Sequence, residues 1–166
     1  MKRTKALALL TILTLCLNLS FTKPILPPQE NPAMREMEVD YFLDNYDKPK
    51  NEIWICYFWA TWCVNCVRTH GVLKQLDNEI RNQHVRLVSL SLDNSKKKWH
   101  KFMIDNPATW EQMWATDMRF DRKFRKKFGD IEKLPELFII NRNGNISRVR
   151  YLNQLKSELQ KVIEGG

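Results

Sequence analysis

Between Ile53 and Trp59 the chain reads IWICYFW, seven apolar residues without a glycine or proline. A strand with one solvated face alternates apolar and polar residues, whereas an unbroken apolar run is how a strand buried on both faces reads. Such strands belong to α/β sheets covered by helices on both sides. The run leads straight into ATWCVNCVRTH (60–70), where Cys63 and Cys66 stand three apart. A helix is predicted from about Cys63 to Asn82, with Cys66, Leu73, Leu76 and Ile80 as its buried stripe. That stripe turns Cys66 toward the core. Cys63 is left in the first turn, where unpaired N–H groups make the local field positive.

The remaining segments supply the layers. VRLVSLSLD (85–93) reads as a second buried strand, and 95–105 as a helix with Trp99, Phe102 and Met103 inward. A short piece at Met113–Trp114 is expected to pair with the sheet. Residues 117–128 read as a helix with Phe120, Phe124 and Phe128 four apart. LPELFII (134–140) is a proline followed by a strand, NRNG (141–144) is a hairpin turn, and 145–150 returns antiparallel. Leu152, Leu155, Leu159 and Ile163 stripe a closing helix, while Val39, Phe42, Leu43 and Tyr46 suggest an amphipathic helix over 36–46. The fold class is therefore α/β, a mixed sheet with helices on both faces.

Composition limits the function classes. The chain is 43% hydrophobic, which excludes a disordered polypeptide, and its 166 residues suit one domain. Lys2, Arg3 and Lys5 precede a largely apolar run from Ala6 to Leu19, the pattern of a secretory signal or a retained N-terminal anchor. The expected organisation is a signal or anchor over 1–22, a flexible lead over 23–35, and a domain over 36–166. Cys16 follows Leu15, which is too large for a lipoprotein cleavage site. Removal of 1–22 would reduce the net charge from +8 to +5, too mild to be a nucleic-acid signature by itself. Export would place the cysteines where disulfides persist.

Cysteines three apart can attach haem, bind zinc, form a fixed bridge or act as a redox couple. Covalent haem needs a histidine directly after the second cysteine, and Val67 stands there. Structural zinc usually needs four ligands, and no second cysteine pair is present; His70 would be only a third. A permanent bridge closing so small a loop adds little stability. Redox exchange fits best. Cys63 at a helix N-terminus favours the thiolate, and an inward Cys66 can resolve the mixed disulfide that Cys63 forms. Cys56, within the apolar run, reads as a small core hydrophobe. The rival from another class is a binding module using RFDRKFRKKF (119–128), whose six basic residues alternate with phenylalanines. The simpler reading puts the phenylalanines on the sheet and the basic groups in solvent.

FWATWCVNC (58–66), SLD (91–93), Trp99 and KLPELFIINRNGNI (133–146) resemble the thioredoxin superfamily, in particular its exported TlpA-like branch. The similarity runs from about Val39 to Ile163. It implies a thioredoxin-like fold with an insertion between the second strand and the proline strand. It also implies a cis Leu134–Pro135 bond beside the cysteine pair. By the resemblance Cys63 is the nucleophile, Cys66 the resolving cysteine, and Trp62, Leu134 and Pro135 the client-binding residues. Relatives of this kind mostly reduce client proteins outside the cytoplasm, taking electrons from an upstream dithiol protein and needing no bound cofactor. Oxidase or isomerase activity on the same fold is the alternative. Three positions depart from the pattern. Val64-Asn65 replaces the usual Gly-Pro or Pro-Pro, Gly71 replaces a helix-kinking proline, and Tyr57 replaces a buried aspartate that moves protons. Glu136 and His70 are the candidates for that proton transfer, against water and against the simpler readings of a solvated strand-end carboxylate and a surface or packing histidine.

Overall fold

The computed structural model describes residues 34–36, 42–44, 51–80, 83–115 and 121–165. All belong to one unit, Asn31–Gly166. Six strands form one mixed sheet: β1 (Met34–Glu36), β2 (Ile53–Trp59), β3 (Val85–Ser91), β4 (Glu111–Trp114), β5 (Glu136–Ile140) and β6 (Ile146–Val149). Their spatial order is β1-β4-β3-β2-β5-β6. The helices are α1 (Val64–Ile80), α2 (Lys96–Asp105), α3 (Arg122–Phe128) and α4 (Leu155–Glu164), the last preceded by a 3₁₀ turn at Leu152–Gln154.

The apolar run is β2, and it lies inside the sheet. It pairs parallel with β3 along its whole length and antiparallel with β5 from Trp54 to Phe58. Side chains alternate across a strand, so both faces of β2 need cover. Ile53, Ile55, Tyr57 and Trp59 pack with Leu73, Leu76 and Ile80 of α1, Trp99 and Met103 of α2, and Leu155 and Leu159 of α4. Trp54, Cys56 and Phe58 pack on the other face with Phe42 and with Phe124 and Phe128 of α3. All seven residues of β2 are buried. Parallel neighbours need a crossover, which α1 supplies from β2 to β3 and α2 from β3 to β4. The β5–β6 connection is a hairpin: the Asn141 Oδ1 accepts N–H bonds from Asn143 and Asn145, and Gly144 takes a φ of 81°.

Several elements differ from the sequence expectation. Met34–Glu36 is a strand, pairing parallel with β4, where the sequence reads partly as a flexible lead. Three residues without an apolar pattern carry no strand signal; only the free edge of β4 recruits them. The helix expected over 36–46 is seen at residues 42–44, with Phe42 buried; Val39 and Tyr46 lie outside the described residues. The piece expected at Met113–Trp114 is a four-residue strand between β1 and β3. The helix expected over 117–128 begins at Arg122, because Asp121 is extended and its carboxylate accepts the Phe124 N–H as an N-cap. Phe120 lies outside the described residues, as do residues 1–33 with the expected signal or anchor. Among the described residues no helix is long and apolar enough to cross a membrane.

Candidate active site

Cys63 closes the loop between β2 and α1. Its amide donates to the Ala60 carbonyl at 3.1 Å, and its own carbonyl accepts from the Val67 N–H at 3.1 Å, opening the helix. Cys63 and Cys66 form a disulfide with their Cα atoms 5.2 Å apart. The Cys66 amide donates to the Cys63 sulfur at 3.1 Å. Cys63 is thus the N-cap of α1, with sulfur in the place where a serine or aspartate oxygen usually accepts. A thiolate there gains from the same N–H and from the positive end of the helix. Cys66 is fully buried, whereas Cys63 is 8% exposed and Trp62 beside it is 62% exposed.

Two polar contacts fix this loop. The Asp93 carboxylate, at the end of β3, accepts the Thr61 amide at 3.0 and 3.1 Å and the Thr61 hydroxyl at 2.7 Å. The Ser91 hydroxyl donates to the same carboxylate at 2.7 Å, and the Trp114 indole donates to the Asp93 carbonyl at 2.7 Å. On the inner side the Tyr57 hydroxyl donates to the Cys66 carbonyl at 2.6 Å. Burial pushes the Tyr57 phenol upward, so it stays a neutral donor. Neither contact was singled out from the sequence. The signals were a hydroxyl inside an otherwise apolar run and an aspartate directly after a buried strand.

The Leu134–Pro135 peptide is cis. Glu136 pairs with Phe58 across the sheet, so Pro135 falls beside Trp59, at the end of the sheet from which the cysteine loop departs. Leu134 is half-buried and packs against both core faces. The fold therefore brings Trp62, Cys63, Cys66, Leu134 and Pro135 to one end of the sheet.

The two proton-transfer candidates have different surroundings. Glu136 shares its face with Phe138, opposite to Cys66, and its carboxylate faces the Arg148 guanidinium at 3.6 Å. Burial raises the Glu136 carboxyl above the usual range, against the opposing pull of Arg148 and Lys133. His70 is 2% exposed, and its ring lies 4.9 Å from that of Trp110, 5.3 Å from Trp59 and 5.8 Å from Phe102. Neither ring nitrogen has a hydrogen-bond partner. Burial, and secondarily the Lys74 charge, lowers His70 to about 4, so it is a neutral packing residue at pH 7. Cys56 is wholly buried, and burial pushes its thiol well above the ordinary range.

The basic segment follows the simpler reading. Phe124 and Phe128 are buried against the sheet, and Arg122, Lys123, Arg125 and Lys126 line the solvent side with Gly129 and Asp130.

Residues 51–146 match the Thioredoxin-like family. The chain belongs to this family. Among curated proteins it is similar to the thiol-disulfide oxidoreductase ResA of Bacillus subtilis, with 26% identity over 92 residues. That stretch is 55% of this chain and 49% of the relative, so the chain spans about half the relative's length. Solved structures show the same thioredoxin-like fold. A thiol:disulfide interchange protein of the thioredoxin family from Chlorobium tepidum superposes with a TM-score of 0.58 at 18% identity, covering 69% of this chain and 82% of that one. A thiol-disulfide oxidoreductase from Bacteroides fragilis gives a TM-score of 0.57 at 23% identity, covering 68% and 82%.

Proposed function

We propose that this thioredoxin-like chain is a thiol–disulfide oxidoreductase that reduces disulfides of client proteins outside the cytoplasm. The observation that carries the reading is the asymmetry of the cysteine pair: Cys63, which caps a helix and keeps 8% of its surface exposed, is joined to Cys66, which has no exposure. In the reduced protein the Cys63 thiolate attacks a client disulfide. A Cys63–client bond forms and one client thiolate leaves. Cys66, deprotonated, then attacks the Cys63 sulfur, forming the Cys63–Cys66 bond and releasing the second client thiolate. Two electrons pass to the client, whose two thiolates take up the two protons that Cys63 and Cys66 give up. Glu136 stands on the sheet face opposite to Cys66, and His70 is enclosed by Trp59, Phe102 and Trp110.

Trp62, Leu134 and the cis Pro135 are assigned to the client segment, an assignment supported by their place at the same end of the sheet. Electrons return from an upstream dithiol protein, and no bound cofactor is needed. The basic run at Lys2–Lys5 and the apolar run to Leu19 support export through an N-terminal signal, or anchoring by it. The reductive direction rests on the TlpA-like resemblance.

The test is a pair of cysteine variants assayed on a protein disulfide. Cys63→Ser should abolish exchange, and Cys66→Ala should accumulate a mixed disulfide visible on non-reducing gels. Full reduction of the substrate by Cys63→Ser overturns the mechanism. The reduction potential decides direction: a value near −270 mV, the thioredoxin end of roughly known scales, supports a reductase, and one near about −120 mV makes the protein a disulfide donor.

A further inference from the structure

Charge is spread unevenly along this chain. Six basic residues and one acidic residue give RFDRKFRKKF (119–128) a net charge of +5. That equals the net charge of residues 23–166 as a whole, so the rest of that span balances to zero. Within α3 five of the seven residues are basic and none is acidic. Arg122, Lys123, Arg125 and Lys126 are exposed and, with Gly129 and Asp130, line an open hollow of about 650 Å³. The carboxylates nearby in the chain, Asp121, Asp130 and Glu132, offset only part of this charge, and Asp130 is bonded to Arg125. Packing accounts for the phenylalanines but not for the cations. The helix field favours Arg125, Lys126 and Lys127 in the last turn, yet it opposes Arg122 and Lys123 at the first two positions. Cations set against the helix field and gathered on one surface cost the fold stability, which a binding role offsets.

We propose that the solvent face of α3 docks on an anionic lipid bilayer. This docking rests on the export proposed above, since the run from Lys2 to Leu19 brings the chain to a membrane whether it is cleaved or retained. The surface chemistry favours headgroups over a protein partner. Protein interfaces centre on aromatic and aliphatic anchors. The large apolar side chains exposed among the described residues, Trp62, Val64, Val67, Val72, Ile104 and Tyr151, all lie outside α3. An anionic headgroup layer needs only cations held within a Debye length of it. The docking also sets an orientation. Phe124 and Phe128 fasten α3 to the sheet face opposite to the one that α1, α2 and α4 cover. A bilayer on α3 therefore leaves the cysteine-bearing helix turned toward solvent and toward clients.

The experiment places the full chain with vesicles of phosphatidylcholine alone and of phosphatidylcholine mixed with phosphatidylglycerol. Acetylation of Lys126 is followed by mass spectrometry and referred to Lys156 and Lys161 on α4. On the anionic vesicles Lys126 should react about fivefold more slowly than on the neutral ones, the scale of one basic residue at an anionic surface, and high salt should remove the difference. Arg122→Gln with Lys123→Gln, which keeps good helix formers, should bring the Lys126 ratio close to one. Lys97→Gln with Lys98→Gln on α2 removes the same charge on the other side of the sheet and should leave the slowing in place. Equal Lys126 reactivity on both vesicles, or slowing retained without Arg122 and Lys123, overturns the docking. Protection of Lys126 by polyglutamate but not by anionic vesicles assigns the face to an acidic protein and overturns the bilayer. A phosphatase reporter that works only after export, fused behind residues 1–35, separates the two readings. An inactive reporter overturns the location and the docking with it; an active reporter with an unprotected Lys126 overturns the docking alone.

Discussion

His70 is the residue whose environment departs most from its chemistry. It sits one turn after Cys66 with both ring nitrogens buried and unpaired. Its folded-state value of about 4 lies below the ordinary 6.5. The unfolded chain therefore binds this proton more readily. The associated stability is fully present above pH 6.5 and is lost as pH falls through 4, in total on the order of 3 kcal/mol. His70→Phe, which keeps an aromatic ring among Trp59, Phe102 and Trp110, should flatten the fall in urea midpoint between pH 6.5 and 4. An unchanged pH slope in that variant would refute the assignment. Tyr57 shows the opposite case, a buried polar group with its partner in place. Its hydroxyl anchors the Cys66 carbonyl, at the position where the family resemblance expects an acid. The stripe of Cys66 and Leu73 already puts position 70 on the inward face of the helix, but its enclosure was not readable, because Trp110 comes from a distant part of the chain.

At the scale of elements, the loop from Ala60 to Cys63 is held by a neighbouring strand as well as by its own helix. The Asp93 carboxylate takes three contacts from Thr61 and one from Ser91. Hydrogen bonds to a charged acceptor are stronger than neutral ones, and leaving the Thr61 amide without a partner adds a desolvation cost. Asp93→Ala should destabilise the oxidised protein by about 2–4 kcal/mol and speed hydrogen exchange at the Thr61 amide. If that amide keeps its protection, Asp93 is not what holds the loop. The core helices were legible because their apolar stripes repeat at helical spacing. The start of α3 was not, since Phe120 extends the apparent period past Asp121, while the Asp121 carboxylate bonded to the Phe124 amide begins the helix there. Likewise β1 is invisible in the sequence, because its partner β4 supplies the reason for its strand form.

Across the whole molecule, α3 is fastened by a phenylalanine cluster. Phe124 stacks on Phe128 at 4.7 Å and meets Phe58 edge-on at 5.4 Å, with Phe42 at 6.4 Å. Arg148 holds the far end of α3: its guanidinium donates to the Phe128 and Asp130 carbonyls at 3.2 and 3.1 Å and lies 5.1 Å from the Phe138 ring centre. Phe124 is fully buried at the centre of this face. Phe124→Ala should cost about 3–5 kcal/mol, by lost burial and a cavity, measurable as a lowered urea midpoint with the cysteine pair still able to oxidise. A loss below about 1 kcal/mol would mean that this face collapses around the gap.

By itself the sequence determined the central strand, the active-site helix and the inward turn of Cys66, because these follow from local periodicity and from the N–H groups that any helix leaves free at its start. It also carried the family, since FWATWCVNC and the proline-strand-hairpin segment are contiguous patterns. The tertiary structure decided the rest: that Asp93 grips Thr61 from 32 residues away, that Glu136 faces Arg148 on the sheet face opposite to Cys66, and that β4 recruits β1. Each of these depends on pairing between segments far apart in the chain. No local pattern encodes such contacts, because the fold and not the neighbouring residues supplies the partner.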